Sequence, residues 1–446
     1  MAKVGLISLG CVKNLVDSEY MLGILLKQGF EIVSSPEEAN IIMINTCAFI
    51  ESAQEESINA ILDIAQKKGN KKICVSGCLV SLFKDKLFGQ IPEIDAIIDP
   101  FNIDKIANVC KKLLQDKTKI ISIGKNKKYQ FKNYERCLTG PRHCVYLKIA
   151  DGCDNRCSYC IIPNLRGEYT SRKIEDILEE AKILSEAGAK EINIVAQDTT
   201  LYGEDIYIKR RLPELLEKLS EIEKIRWIRL LYTHPAHYSD ELINTIATNE
   251  KICKYLDIPL QHCNDKILKA MRRKVTKKDI VALICKLREK IPNLILRTTF
   301  LVGFPLESGK EFNELLEFAE KMQFDHLGAF TYSAQEDTAS FSIKKEISEK
   351  VKQARLKKLL SLQKDIAEKK NRKLKGKEIT VLIDKEVGSG IYQGRRQADA
   401  IDIDNVVNVH PHTNTIGVGV KIGNFYKVRI TKTDAYEFKG KIIQKI

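Results

Sequence analysis

Asp151-Gly152-Cys153-Asp154-Asn155-Arg156-Cys157-Ser158-Tyr159-Cys160 carries three cysteines in a C-x3-C-x2-C arrangement. It follows residues 145–150, a short run of β-forming side chains that reads as a strand. Three thiolates on one tight loop can hold three irons of a cubane [4Fe–4S] cluster. The fourth iron is then open to a small molecule, which a four-cysteine electron-transfer site does not allow. A structural zinc loop is the competing reading. Zinc wants four ligands, usually in paired C-x2–4-C units, and the nearest further candidates, His143 and Cys144, precede the strand. Incidental cysteines are the third reading.

Outward from this unit the strand–helix alternation continues. Strand candidates at 191–196, 227–232, 255–258, 294–302 and 327–332 are separated by helix-period segments such as 173–186 and 280–290. With 145–150 they make six β–α units and predict a partial, open (β/α)6 barrel over 139–370. Functional residues then belong at the carboxyl ends of its strands. Gln197 and Asp198 end the second strand and read either as cofactor contacts or as a polar strand-end cap. Arg297 and Thr298 lie within the fifth strand, where they could face a cofactor, and Tyr159 lies inside the cysteine loop, where it could stack on a base.

The preceding segment alternates in the same way. Strands at 4–9, 41–45, 73–76 and 96–98, with helices at 14–28 and 51–67, predict an open α/β domain with a parallel sheet over 2–118. Cys11, Cys47 and Cys78 each follow one of these strands. In an open parallel sheet the carboxyl ends share a crevice, so three thiols remote in sequence could meet there. The alternative is three buried cysteines acting as small hydrophobes. Asn14 and Asp17 could orient such a site or cap the first helix, and capping is preferred. The other seven cysteines read as structural.

Residues 111–140 are lysine-rich, with Lys125, Lys127, Lys128 and Lys132, and read as a linker. Residues 345–377 read as a charged helical connector. From 378 the pattern changes to short alternating runs at 379–383, 418–422 and 426–430 between turn residues, which predicts a small all-β barrel over 372–442. From residue 380 onward 10 basic and 7 acidic residues leave a net of +3. The acidic run Asp399, Asp402, Asp404 suits a basic protein partner better than a phosphate backbone.

The 446 residues, 44% hydrophobic and 30% charged, are those of a soluble multidomain protein. The start reads as a strand and not a signal peptide, and the longest apolar run, 41–50, is broken by Asn45 and Thr46 and too short to span a bilayer. A cytoplasmic location is expected. Thirteen cysteines, an odd count, favour metal or redox use over disulfides. The net charge of +14 suggests an anionic partner such as nucleic acid or a ribonucleoprotein, or a charge merely spread over the surface.

The three-cysteine loop ahead of a half barrel resembles the radical S-adenosylmethionine enzymes. Gly10-Cys11-Val12-Lys13-Asn14, Asp17-Ser18-Glu19, Asn45-Thr46-Cys47 and Gly77-Cys78 narrow the resemblance to the methylthiotransferases, and it covers essentially the whole chain. It implies two [4Fe–4S] clusters, one on Cys153, Cys157 and Cys160 and one on Cys11, Cys47 and Cys78. It also implies S-adenosylmethionine as cofactor, a C-terminal TRAM barrel, and no catalytic residue beyond the cluster ligands. Cys160-Ile-Ile-Pro163-Asn-Leu-Arg166-Gly167, Ala196-Gln197-Asp198-Thr199-Thr200-Leu-Tyr202-Gly203 and Tyr255-Leu-Asp257-Ile-Pro259-Leu-Gln261-His262 resemble the branch that modifies an aspartate of small-subunit ribosomal protein S twelve. The partners so implied are that protein or its subunit, a low-potential electron donor and a sulfur donor. The alternatives are the tRNA-adenosine branch and a non-catalytic iron–sulfur RNA-binding protein. Two departures stand out: Val12 replaces the branch's usual Pro, and Leu306 stands where Phe-Pro-Gly-Glu-Thr has Gly.

Overall fold

The computed structural model describes residues 1–115, 118–124, 128–388, 390–410 and 419–446. Lys125, Lys127 and Val418, singled out above, lie outside them. The N-terminal sheet is six parallel strands in the spatial order Glu31–Val33, Lys3–Ser8, Ile41–Thr46, Lys72–Gly77, Ala96–Ile98, Ile120–Ser122. Apolar clusters pack on both of its faces, so Ile41–Thr46 is buried throughout and reads as a continuous apolar run, not an alternating one.

The linker reading of 111–140 is corrected. Ile120–Ser122 pairs with Ala96–Ile98 at the sheet edge, and Tyr129 is buried in the N-terminal core. Arg136 is buried between Glu19 and Glu180 and joins the first helix, Val12–Lys27, to the helix Ile174–Glu186. The lysines hid this because they stay at the surface while the aromatics between them turn inward. Glu31–Val33 and Ile120–Ser122 have three residues each, too few to display a period.

The second sheet is parallel, in the order His326–Thr331, Ile295–Val302, Ile252–Asp257, Trp227–Leu230, Glu191–Val195, Cys144–Lys148. Its edge strands do not pair with each other among the described residues, so the barrel stays open. Helices cover the outer face over one large apolar core. Glu349–Arg372, the expected connector, packs against the last strand.

The C-terminal domain is a closed barrel in the order Glu378–Gly388, Ile391–Arg396, Val406–His410, Glu437–Lys445, Phe425–Thr433. The strand expected at 418–422 is corrected: the described part, 419–422, is loop leading into a turn. The acidic run is corrected as well. Asp399 and Asp404 are buried against the half barrel, where Asp404 accepts from Tyr255 Oη at 2.6 Å and lies 3.5 Å from His326, and Asp399 pairs with Arg396 at 2.6 Å. Glu191 accepts Arg229 and Arg395, each at 2.8 Å, and Arg395 also holds Asp384. Carboxylates read as a partner surface are therefore spent inside the molecule, and of the three only Asp402 is exposed.

Candidate functional site

Cys11 is the N-cap of Val12–Lys27, Cys47 follows Ile41–Thr46, and Cys78 opens the helix Cys78–Phe83. Their strands are adjacent in the sheet, so all three thiols come to one edge. Gly10 has φ +85°, and a Cβ there would lie 2.9 Å from Cys47 Sγ, so this turn needs glycine to bring the first two loops together. Asn14 ties the loops by donating to Leu9 O at 3.2 Å and Thr46 O at 2.8 Å. The helix has no side-chain cap, so the capping role expected of Asn14 and Asp17 is corrected. Both reach across to the second domain instead.

The 153–160 loop leaves the strand Cys144–Lys148. Cys153 N donates to Gly167 O, Ser158 Oγ to Ala270 O, and Asn155 Nδ2 to Asp198 Oδ2, the last two at 2.8 Å. The loop's three thiols line a cavity of 460 Å³ together with Arg156, Pro163 and Arg272. All thirteen cysteines are free. Burial raises Cys78 to about 11, with Cys11 and Cys47 adding to it, and raises Cys153 to about 12. Burial likewise raises Cys47 and Cys160, and crowded, desolvated thiols of this kind are a poor resting place for anions and a good one for a cation that displaces their protons. Both trios therefore fit iron–sulfur ligation.

Arg166 links the two trios. It belongs to the short helix Ile162–Arg166, just beyond the 153–160 loop, and is buried. Its Nε donates to Cys78 Sγ at 3.3 Å, its Nη1 to Asp17 at 2.6 Å and Asp151 at 3.2 Å, and its Nη2 to Asn14 Oδ1. Lys148 completes the network by donating to Asp151 at 2.8 Å and to Asp17. Burial alone would raise the Asp151 carboxyl, but Lys148 and Arg166 outweigh it and hold it below the usual carboxylate range.

The expected cofactor contacts separate. Gln197 Nε2 donates to Asp151 at 2.9 Å, and its Oε1 is buried without a partner among the described residues. Asp198 is the strand-end cap: it accepts from Thr200 N and from His237 Nδ1, and it holds Asn155 of the cysteine loop. Tyr159 is half-buried beside Cys157 and Arg273. Arg297 faces the barrel interior, 3.9 Å from Asp257 and 3.8 Å from Asp404. Thr298, the next residue, must point to the opposite face. It shares that face with Leu296 and Phe300 of the helix-side core and donates to Ile258 O, so it is not open to the barrel interior.

Sequence reading missed Lys148, Asp151, Arg166 and Arg273. Arg273 Nη1 lies 3.5 Å from Cys157 Sγ, and its Nη2 donates to Pro259 O. Asp151 and Arg166 stood inside quoted motifs, but which charges meet depends on the docking of two domains. Leu306 holds φ +80°, so the turn keeps a glycine-like conformation with a leucine in it.

Three family models match the chain: Uncharacterized protein family UPF0004 over residues 3–99, the Radical SAM superfamily over 147–319 and the TRAM domain over 376–443. The ribosomal protein uS12 methylthiotransferase RimO of Acetivibrio thermocellus is 45% identical, covering 99% of this chain and 98% of its own. The protein of that name from Clostridioides difficile is 43% identical over the full length of both chains. Among solved structures, the radical S-adenosylmethionine methyltransferase TsrM from Kitasatospora setae, bound to cobalamin and a [4Fe–4S] cluster, superposes with a TM-score of 0.59 at 14% identity over 76% of this chain and 77% of its own. That likeness is one of fold.

Proposed function

The chain belongs to the ribosomal protein uS12 methylthiotransferase family of radical S-adenosylmethionine enzymes, and from that premise we propose that it adds a methylthio group to the β-carbon of an aspartate in uS12. The observation that carries this reading is the pair of thiol trios at the carboxyl ends of two parallel sheets, bridged by Arg166. Cys153, Cys157 and Cys160 would hold one [4Fe–4S] cluster, and Cys11, Cys47 and Cys78 the other. S-adenosylmethionine would lie on the barrel side of the 153–160 loop, with Tyr159, Gln197 and Arg297 as its candidate contacts and Asp198 acting through Asn155. When bound, these groups supply the one-electron chemistry that breaks an unactivated C–H bond, which no acid–base pair can do.

The chain's own residues orient and enclose. Arg166, Asp17, Asp151 and Lys148 fix the two loops against each other. Val12 packs against the buried cluster on the inner face of the half barrel that includes Leu231 and Tyr255, and the C-terminal barrel docks on the same face through Phe425 and Trp227. Both contacts keep water from the interior. The domain bounds we propose are 2–118, 139–370 and 372–442. A low-potential electron donor and a sulfur donor complete the set of partners, alongside uS12 or the small subunit. We assign the enzyme to the cytoplasm, where that substrate is made; no helix among the described residues is long and apolar enough to cross a membrane.

The test is an anaerobic reaction of the reconstituted enzyme with uS12, free and in the small subunit, and separately with tRNA. Methylthio mass gain on the uS12 aspartate is expected. Gain on tRNA adenosine alone overturns the substrate. Stable cluster reduction without cofactor cleavage overturns the reaction class.

A further inference from the structure

Lys13 is a buried cation without a carboxylate partner among the described residues. It sits in the first turn of Val12–Lys27, two residues beyond Cys11, and is 7% exposed. Its Nζ lies 3.5 Å from the centre of the Tyr232 ring, at the carboxyl end of a half-barrel strand. No carboxylate of the described residues lies within 4 Å of it, and it makes no hydrogen bond there, while every other lysine buried to this degree is paired: Lys148 with Asp17 and Asp151, Lys352 with Glu349. A desolvated ammonium resting on a ring face costs several kcal/mol unless a free anion joins it. Cys11, two residues back, is the neighbour that can carry negative charge, but as a cluster ligand its thiolate would be committed to iron; Asp151 and Arg166 are spent on each other, and Asp257, at the end of the next strand, faces Arg297.

The position is as informative as the missing partner. Lys13 comes from the domain of the Cys11 trio yet points into the mouth of the half barrel, so it stands between the two sites of the proposed reaction. Resting on that reading, we propose that Lys13 binds the side-chain carboxylate of the substrate aspartate and selects an acidic residue at the modified position. The carboxyl carbon of aspartate is bonded directly to its β-carbon. A cation that grips the carboxylate therefore fixes the reacting carbon one bond away, beside the auxiliary trio. The aromatic face of Tyr232 holds the ammonium in place before substrate arrives, and the uncapped first turn of the 16-residue helix favours negative charge at the same spot. An asparagine or other neutral residue would leave the ammonium buried and unpaired, which supplies discrimination as well as affinity.

The test is a cycle of four affinities with the reconstituted holoenzyme. Wild type and Lys13→Met are each titrated with uS12, and with uS12 carrying Asn in place of the modified aspartate, free and in the small subunit. Methionine is unbranched and one atom shorter, and it removes the charge. For wild type the Asp→Asn change should weaken binding by about 10- to 100-fold, the range of a desolvated charge-assisted contact. For Lys13→Met the same change should weaken it less than about twofold, because the two losses are one interaction. Iron content should stay at the wild-type level. Equal discrimination by both enzymes overturns the proposal and leaves the methylthiotransferase reading intact. Loss of iron in Lys13→Met with discrimination retained makes Lys13 a partner of the auxiliary site and also overturns it. Wild-type indifference to Asp or Asn removes the carboxylate contact without any variant. Failure of the wild type to bind uS12 in either form counts against the substrate itself.

Discussion

The two thiol trios reach similar chemistry by opposite routes. Cys153, Cys157 and Cys160 lie on one loop, so their meeting is a matter of local backbone, anchored by Ser158, Asn155 and the Cys153 amide. Cys11, Cys47 and Cys78 meet only because three strands are neighbours in one sheet. The first trio can be inferred from spacing. The second requires the strand order and so exists only in the folded domain. A contiguous site should tolerate distant damage, and an assembled one should fail when its sheet or its cross-domain tie is disturbed.

The largest effects come from removing either trio. Wild type, reconstituted without oxygen, should hold about eight irons, two cubanes' worth. Alanine at Cys153, Cys157 and Cys160 should halve the iron and abolish reductive cleavage of S-adenosylmethionine. Alanine at Cys11, Cys47 and Cys78 should also halve the iron but leave cleavage in place with no methylthio product. Wild-type iron in either variant would erase the distinction between the trios.

Next in size is the tie between them. Arg166→Met strips a guanidinium from two buried carboxylates, Asp17 and Asp151, and from Cys78 and Asn14. Breaking a buried pair in this way costs ~3–5 kcal/mol. Arg166→Lys should not restore it, since one ammonium cannot span four acceptors arranged around a planar fork. Denaturant unfolding measures the cost, and the Cys11 trio should lose iron before the contiguous loop does. A loss below ~1 kcal/mol would mean that Lys148 alone neutralises both acids, with the cross-domain tie reduced to packing.

Legibility followed the same division. All six barrel strands were readable as short apolar runs between helix-period segments, though Ile252–Asp257 begins three residues before its expected start at 255, and the cysteine loop was readable from its spacing. The carboxylates of the C-terminal barrel were misread because sequence shows charge but not its partner. Asp399, Asp402 and Asp404 look alike in sequence, yet two of them close a buried junction. Arg297 and Thr298 looked equivalent until the pleat put them on opposite faces. Tyr129 and Arg136 were lost among lysines for the same reason: whether such a side chain turns inward is decided by what packs over it.

That junction lies away from both trios and serves as a control for the comparison. Burial would raise the Glu191 carboxyl, but Arg395 and Arg229 outweigh it and lower it to about 2. A folded-state value below the unfolded one, ~4.3, stabilises the protein above that pH, and the contribution is lost as pH falls from ~4 toward ~2. A tenfold change in proton affinity is worth about 1.4 kcal/mol, so ionisation of this carboxylate contributes on the order of 3 kcal/mol at neutral pH, net of its burial penalty. In Glu191→Gln that portion of the acid slope should disappear, while the ratio of iron between the trios at neutral pH stays as in wild type. An unchanged slope would place the acid-labile charge elsewhere.

The smallest expected effect separates the exposed acid from its buried neighbours. Asp402 is exposed at φ +60°, a conformation that asparagine tolerates as well as aspartate, so Asp402→Asn changes one solvated charge and nothing else. Its effect on stability should stay within about 0.5 kcal/mol. Asp404→Asn keeps the shape but takes the charge from between His326, Arg297 and Tyr255, and should cost about 2 kcal/mol. If the carboxylates of this run acted together as a surface for uS12, both changes would weaken uS12 binding alike and neither would shift the unfolding midpoint. The structure requires the reverse: Asp404→Asn lowers the midpoint, and Asp402→Asn moves neither midpoint nor affinity. Comparable midpoints for the two variants would return Asp404 to the surface and undo the account of how the C-terminal barrel is held.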